Sequence, residues 1–333
     1  MVEYYSMDIV FIILLILLSI AAIGKGSDWM TNSLVPLARK LGVSGVSVGL
    51  VLVSVAVSLP EILVAVNATL KGYTAISLGV ALGSIICNIG LMTGLSAYYR
   101  PLKISQQTLL RDGVFSVIVP ILVFAVSSGG EITRVEGLAF FLLFIPYVIN
   151  VFLQERRLTK VEKEIQMKSI EIEMELLGFD FGKLKAGWLT FILGTIVLLA
   201  GAQLFSDQLI SLVQRFGINE LLIGLTIGAL GPSIPNIVAA YKATQKGMGE
   251  IAVSETLGSN IFTLLVTVGV LAMLSPISVS EQWINFDLPI LIIMSFMLFA
   301  FLITKKTLSR FEGFVLMMSY ILVIIVQIFI NLK

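Results

Sequence analysis

Apolar stretches of about twenty residues recur along the whole chain, each long enough to cross the roughly 30 Å hydrocarbon core of a bilayer. Lipid offers no hydrogen-bond partners, so the backbone of such a stretch must satisfy itself, and a helix does so within one segment. Composition agrees: 57% of the 333 residues are hydrophobic and 13% are charged, against about 25% charged in a soluble domain. The reading is an all-α polytopic membrane protein. Ten spans are predicted, at about 8–30, 43–70, 74–98, 112–129, 137–154, 188–210, 218–241, 249–274, 285–304 and 312–331. The run Ile9 to Ile23 follows Glu3 and Asp8 with no basic residue, which reads as a retained span rather than a secretory signal.

One long polar segment, 155–187, separates five spans from five. Its mixed charges predict a solvated cytoplasmic linker, and about thirty residues is too short for a domain of its own. Lys and Arg placement sets the orientation. With both termini outside, seventeen basic residues fall on the cytoplasmic side and four (Lys71, Arg134, Arg215 and Lys333) on the other. Lys25 lies within or beside the first span, where it is expected to snorkel or to pair with Asp28. The expected location is a prokaryotic cell membrane.

The chain contains no histidine, which excludes Ser-His-Asp and Cys-His catalysis, His-ligated zinc and haem, and imidazole relays. The single cysteine, Cys87, allows no internal disulfide and reads as a small packing residue. A net charge of +1 gives no reason to expect nucleic acid. No pair of mid-span aspartates suggests an intramembrane protease. An enzyme is not expected, and no cofactor.

The sequence aligns with itself at an offset of 175. Residues 42–97 match 217–272 without a gap, with 18 of 56 positions identical. The identities include Gly42/Gly217, Gly49/Gly224, Ser58/Ser233, Pro60/Pro235, Lys71/Lys246, Gly72/Gly247, Gly83/Gly258, Ser84/Ser259 and Gly94/Gly269. A match carried by Gly, Pro and Ser rather than Leu and Val points to duplication. Five spans per copy make the second copy enter from the opposite face. The predicted organisation is two inverted five-helix repeats, 1–154 and 188–333. Secondary transporters built this way bind their cargo near the midplane, on matching Gly/Pro-interrupted helices.

Those helices carry oxygen. Ser54, Ser58 and Glu61 share one face of the second span, and Ser84 and Asn88 one face of the third. Ser233 and Asn236 answer in the seventh span, and Ser259 and Thr263 in the eighth, with Glu255 one turn before Ser259. Isolated hydroxyls in membrane helices usually bond their own backbone, but an acid near the bilayer centre is costly and functional by default. Pro60 and Pro235 are expected to free carbonyls near 54–57 and 229–232 and to open the helices there. Carboxylate, amide, hydroxyl and carbonyl donors without sulfur or imidazole suit a hard cation such as Ca²⁺ or Na⁺. Glu255 is the less central candidate, since it also fits a carboxylate reaching toward an aqueous mouth.

With these residues in place, the chain resembles the cation/calcium exchanger superfamily, typified by sodium/calcium exchangers. The stretches that carry the resemblance are AVSLPE (56–61) with GSIICN (83–88), and GPSIPN (231–236) with GSNIFT (258–263). The resemblance implies antiport of a cation, usually Ca²⁺, against Na⁺, H⁺ or K⁺. It places Ser58, Glu61, Ser84, Asn88, Ser233, Asn236, Ser259 and Thr263 at ion-site positions, with carbonyls of Ser54 and Ala229 contributing. Four positions depart from the pattern. Val57 and Pro232 stand where threonine is usual, Asn236 where the second repeat normally has glutamate, and Thr263 where Asn or Asp is common. Exchange of another cation (Mg²⁺ or a monovalent ion), proton coupling, and a non-transporting ion-binding relative are the alternatives. The expected partners are inorganic cations and the lipid bilayer.

Overall fold

The computed structural model describes residues 2–40, 46–155 and 184–331, with isolated residues between 159 and 168. The expected linker 155–187 therefore lies largely outside the described residues. The long helices are α1 (Val2–Lys40), α2 (Val46–Leu70), α3 (Thr74–Tyr99), α4 (Gln106–Ser127) and α5 (Arg134–Glu155), then α6 (Trp188–Phe216), α7 (Glu220–Gln245), α8 (Gly249–Leu274), α9 (Trp283–Lys305) and α10 (Arg310–Asn331). Among the described residues nine of them, α1 and α3 to α10, are long and apolar enough to cross a membrane; in α2 the apolar part is Ser54–Leu70. The chain is an all-helical integral membrane protein.

The helices divide into an enclosed centre and a lipid-facing rim. Within their apolar windows α3 and α8 are 89% and 83% buried, against 22% for α5 and 28% for α10. Lipid tails are as apolar as Leu, so membrane helices associate through close packing and polar contacts rather than hydrophobic exclusion. Glycine makes that approach possible. A Cβ on Gly83 of α3 would stand 2.6 Å from Leu225 O and from Ala229 Cβ of α7. Its counterpart on Gly258 of α8 would stand 2.9 Å from Ser54 Oγ of α2. Both contacts have the same spacing: 258 follows 83 by 175 residues, and 229 follows 54 by 175. A similar pair joins Gly94 of α3 to Gly313 of α10, and Gly269 of α8 to Gly137 of α5.

Short strands, absent from the expected spans, repeat this exchange. β1 (Leu102–Lys103) pairs antiparallel with β4 (Thr307–Leu308), and β2 (Glu131–Ile132) with β3 (Ile277–Ser278). Each pair ties a loop of one half to a loop of the other. The turns correspond too. Gly72 and Gly247 both have positive φ (86° and 84°), a conformation that favours glycine, and each closes a helix through an identical pattern. Tyr73 N donates to Ala68 O and Met248 N to Ala243 O, both at 2.9 Å.

Two expectations about helix ends and breaks are corrected. The first helix runs to Lys40 rather than to about residue 30. Its polar residues satisfy one another along the helix: Lys25 Nζ lies 3.2 Å from Asp28, and the Asn32 amide donates to the same carboxylate. The charges are thus no reason for the helix to stop. The proline segments do not open either. α2 is helical through Pro60, and α7 through Pro232 and Pro235. Side chains supply donors to nearby carbonyls, as Asn236 Nδ2 does to Val57 O (3.1 Å) and Ser233 Oγ to Ala229 O (2.9 Å). Irregularity appears instead as π-helical turns, at Asn88–Thr93 in α3, Gly224–Gly228 in α7 and Thr263–Thr267 in α8. Such turns recur at functional sites.

Candidate cation site

The crossing of α2 with α7 brings Glu61 to Ser233. Glu61 is 1% exposed, and its Oε1 accepts from Ser233 Oγ at 2.8 Å. Ser233 has one hydroxyl hydrogen and two acceptors in reach, Glu61 and Ala229 O, so it serves one at a time. Asn236, one helical turn further along α7, directs its amide nitrogen to Val57 O of α2. A carbonyl only accepts, so that contact fixes the nitrogen there and leaves the amide oxygen for another partner.

α3 and α8 close the other side. Ser84 interacts with the Glu61 carboxylate, while its hydroxyl donates to Ala81 O at 2.9 Å. Asn88 Nδ2 faces Ser259 Oγ at 3.4 Å, and Ser259 Oγ donates to Thr256 O at 3.3 Å. Four buried oxygens here have no hydrogen-bond partner among the described residues: Ser58 Oγ, Glu61 Oε2, Asn88 Oδ1 and Thr263 Oγ1. They come from α2, α3 and α8. Leaving a buried acceptor unmatched costs about 1–3 kcal/mol, and more for a charged group, so a cluster of them calls for a ligand.

The residues expected at the site thus fall into groups. Glu61 with Ser233 and Ser84, Asn236 with α2, and Asn88 with Ser259 are in direct contact. Ser58 and Thr263 present bare buried oxygens. Ala229 contributes the carbonyl that Ser233 meets, and Ser54 packs against Gly258. Glu255 is buried on α8, a turn from Ser259. Sequence reasoning passed over Thr93 and Thr256, whose hydroxyls meet at 2.6 Å between α3 and α8. The signal for Thr256 was available: it lies three residues before Ser259 and seven before Thr263, on one helix face. Among the described residues, no three Asp, Glu, Cys or His side chains gather as a metal cluster. The donors are hydroxyl, amide and one carboxylate, a set suited to hard, weakly polarisable cations.

Membrane helices converging on buried, unmatched oxygens define an integral membrane protein of the ion-carrier class. Comparison with known proteins makes the assignment specific. The family "Sodium/calcium exchanger protein" matches residues 11–153 and 186–329. The chain is 31% identical to Sodium/calcium exchanger MaX1 of Methanosarcina acetivorans, over 95% of this chain and 98% of that protein. It is 28% identical to Inner membrane protein YrbG of Escherichia coli, over 81% and 82%. A solved structure of the sodium-calcium exchanger NCX_Mj superimposes with a TM-score of 0.64 at 26% identity, covering 94% of this chain and 99% of that one. The chain belongs to the sodium/calcium exchanger family.

Proposed function

We propose that this protein exchanges Ca²⁺ for Na⁺ across the membrane at one central site. The observation that carries the reading is the set of unmatched buried oxygens around Glu61. The proposed ligands are side chains of Ser58, Glu61, Ser84, Asn88, Ser233, Asn236, Ser259 and Thr263, with carbonyls of Ser54 and Ala229. Glu255 is the secondary candidate, placed to receive an ion on its way to or from Ser259.

The architecture proposed for this work is ten spans in two inverted repeats, 1–154 and 188–333, joined by the cytoplasmic linker 155–187, with both termini outside. The equal spacing of the glycine contacts, the strand exchange and the matched turns support the repeat. The basic-residue asymmetry supports the orientation. Alternating access would come from α1 and α6 sliding together across the rest. These two pack on each other through Gly26, Gly194 and Gly201, where backbones touch backbones. A pair joined so tightly moves as one body.

Charge sets what the site holds. Glu61 is the one acid at the crossing, because its repeat counterpart is Asn236. At 4 Å and an effective dielectric constant of about 20, one acid attracts a divalent ion by roughly 8 kcal/mol, before desolvation is subtracted. A second acid would double that attraction. The single carboxylate therefore leaves a bound Ca²⁺ with a net positive charge, which favours weak binding and ready release. The test is Ca²⁺ uptake into proteoliposomes loaded with Na⁺. Uptake should follow the outward Na⁺ gradient and stop when the gradient is collapsed. Uptake indifferent to Na⁺, or no uptake by a protein shown to be folded, would overturn the reading.

A further inference from the structure

The helix pair α1 and α6 is tied to the rest of the molecule by polar bonds at one face. Within the pair the contacts are reciprocal: a Cβ on Gly26 would stand 2.4 Å from Leu198 N, and one on Gly201 would stand 2.9 Å from Ile23 N. Gly201 follows Gly26, and Leu198 follows Ile23, by 175 residues, so the spacing of the proposed repeat extends into these helices. The α2–α3 turn belongs to the other body. A Cβ on Gly79 of α3 would stand 2.8 Å from Gly224 Cα of α7, and Gly83 meets Leu225 and Ala229, which fixes α3 against α7.

Two bonds cross from α6 to that turn. Lys71 Nζ, just beyond the end of α2, pairs with Asp207 Oδ1 of α6. Gln214 of α6 donates its amide to the Tyr73 hydroxyl. Asp207 and Gln214 are seven residues apart, two turns along one face of α6. Lys71 and Tyr73 flank Gly72, whose φ of 86° makes the turn. Lys71 and Asp207 are both partly exposed, so water can take over each charge when they part.

The equivalent face lacks these bonds. The residues 175 away are Lys246 and Met248 in the α7–α8 turn, and Asn32 and Arg39 in α1. Lys246 keeps the charge of Lys71, but Asn32 brings no acid, and its amide donates to Asp28 of its own helix. Met248 brings no hydroxyl. Among the described residues Lys246 forms no salt bridge. We propose that Lys71, Tyr73, Asp207 and Gln214 are positioning residues: given the sliding on which the exchange reading rests, they hold the α1–α6 pair in the position seen in this structure. A matching tie at the other face would cancel that preference, and its absence leaves one position favoured. An exposed ion pair adds little to folding, yet two interconverting positions also differ by little, so a few-fold preference decides which is populated.

The test uses the full chain in liposomes in choline chloride, without Na⁺ or Ca²⁺. Spin labels are placed at Gln203→Cys in α6 and Glu281→Cys beside α9; both positions are exposed, and the one native cysteine, Cys87, is buried. The labelled protein should show mainly the distance of this structure. Lys71→Glu should raise the share of a second distance about threefold or more, and Tyr73→Phe by less. Lys71→Glu combined with Asp207→Lys should restore the original distribution, because the pair is rebuilt with its charges exchanged, whereas a merely structural defect would not be reversed. Two distances whose ratio ignores Lys71→Glu, or a shift that the exchanged pair does not reverse, would overturn the tie and leave the sliding intact. A single distance in every variant would overturn both.

Discussion

The two halves share their packing and differ in their charges. Gly83 and Gly258, Gly94 and Gly269, Pro60 and Pro235, and Gly72 and Gly247 hold equivalent places, and the contact of Gly83 with Ala229 recurs between Gly258 and Ser54 at the same spacing of 175. The ionisable positions recur only in part: Lys71 and Lys246, and Asp112 and Asp287, correspond, while Glu61 and Arg111 have no charged counterpart. At the centre the position equivalent to Glu61 carries an amide, Asn236. At the flank Asp112 holds Arg111, while among the described residues the one side-chain partner of Asp287 is Gln327. The second half lacks an acid in one place and a base in another. Backbone approach at a helix crossing tolerates little change, because a Cβ at Gly224 would come within 2.4 Å of Ile76 O. A charge answers to its ligand instead. In the proposed repeat, equivalent helices have to fit twice, whereas a cargo ion has to be neutralised once.

The most severe way to break this comparison is to remove the remaining central acid. Glu61→Gln keeps the shape and removes the charge. Na⁺-driven Ca²⁺ uptake should fall by at least about a hundredfold, since roughly 8 kcal/mol of gross attraction is lost and only part returns as lower desolvation cost. Asn236→Ala removes no charge and should cost about tenfold or less. Equal losses in the two variants would mean that the halves contribute alike and that charge is not what separates them.

The flank gives the next largest effect, this time in stability. Arg111→Ala leaves Asp112 buried and unbalanced, which should cost about 3–5 kcal/mol of unfolding free energy. Asp287→Asn removes a carboxylate that has no internal cation among the described residues and should be neutral or stabilising. Tm and denaturant midpoints of the two purified variants read the difference. If both variants lose stability equally, the two aspartates are alike after all and the contrast drawn from their partners fails.

How far the sequence revealed these features depends on the kind of interaction. The all-helical, membrane-spanning class was legible, since bilayer thickness and helical period are written directly in residue spacing. Proline misled the reading at α2 and α7. Missing N–H groups were expected to open those helices, yet both run helical through their prolines. Lys25 and Asp28 similarly hid the true length of α1, because their pairing keeps polar residues inside a continuous helix. The aspartate corners lay outside the aligned segments 42–97 and 217–272. The offset of 175 would have reached Asp112 and Asp287, yet not their partners Tyr147 and Gln327, which come from distant helices.

The central comparison can also be sharpened by restoring symmetry. Asn236→Glu puts an acid in each half. Ca²⁺ affinity, measured by calorimetry on the purified protein, should rise at least about tenfold, equivalent to about 1.4 kcal/mol. Most of the gross attraction is offset by burying a second carboxylate and by repulsion from Glu61 in the empty state. The variant also gives up the bond to Val57 O, so Asn236→Gln is the matched control for lengthening the side chain without adding charge. An affinity gain in both variants would assign the effect to geometry rather than to the acid.

The smallest effect concerns a turn where the halves differ in backbone cost. Gly130, three residues beyond the end of α4, has φ 85°, and Lys306, directly after α9, has φ 51°; each immediately precedes an exchanged strand. A left-handed conformation costs a residue with a Cβ about 1 kcal/mol that glycine does not incur. Lys306 recovers part of this by donating Nζ to Gln106 Oε1 at 2.7 Å, but that bond is exposed and worth little. Glycine in turn adds freedom to the unfolded chain, which opposes the gain. Lys306→Gly should therefore stabilise by about 0.5 kcal/mol, and Gly130→Ala should destabilise by about 1 kcal/mol. The opposite sign at Lys306 would show that its side chain ties the β1–β4 corner more firmly than its backbone strains it, leaving this turn among the positions where the halves have diverged for a reason.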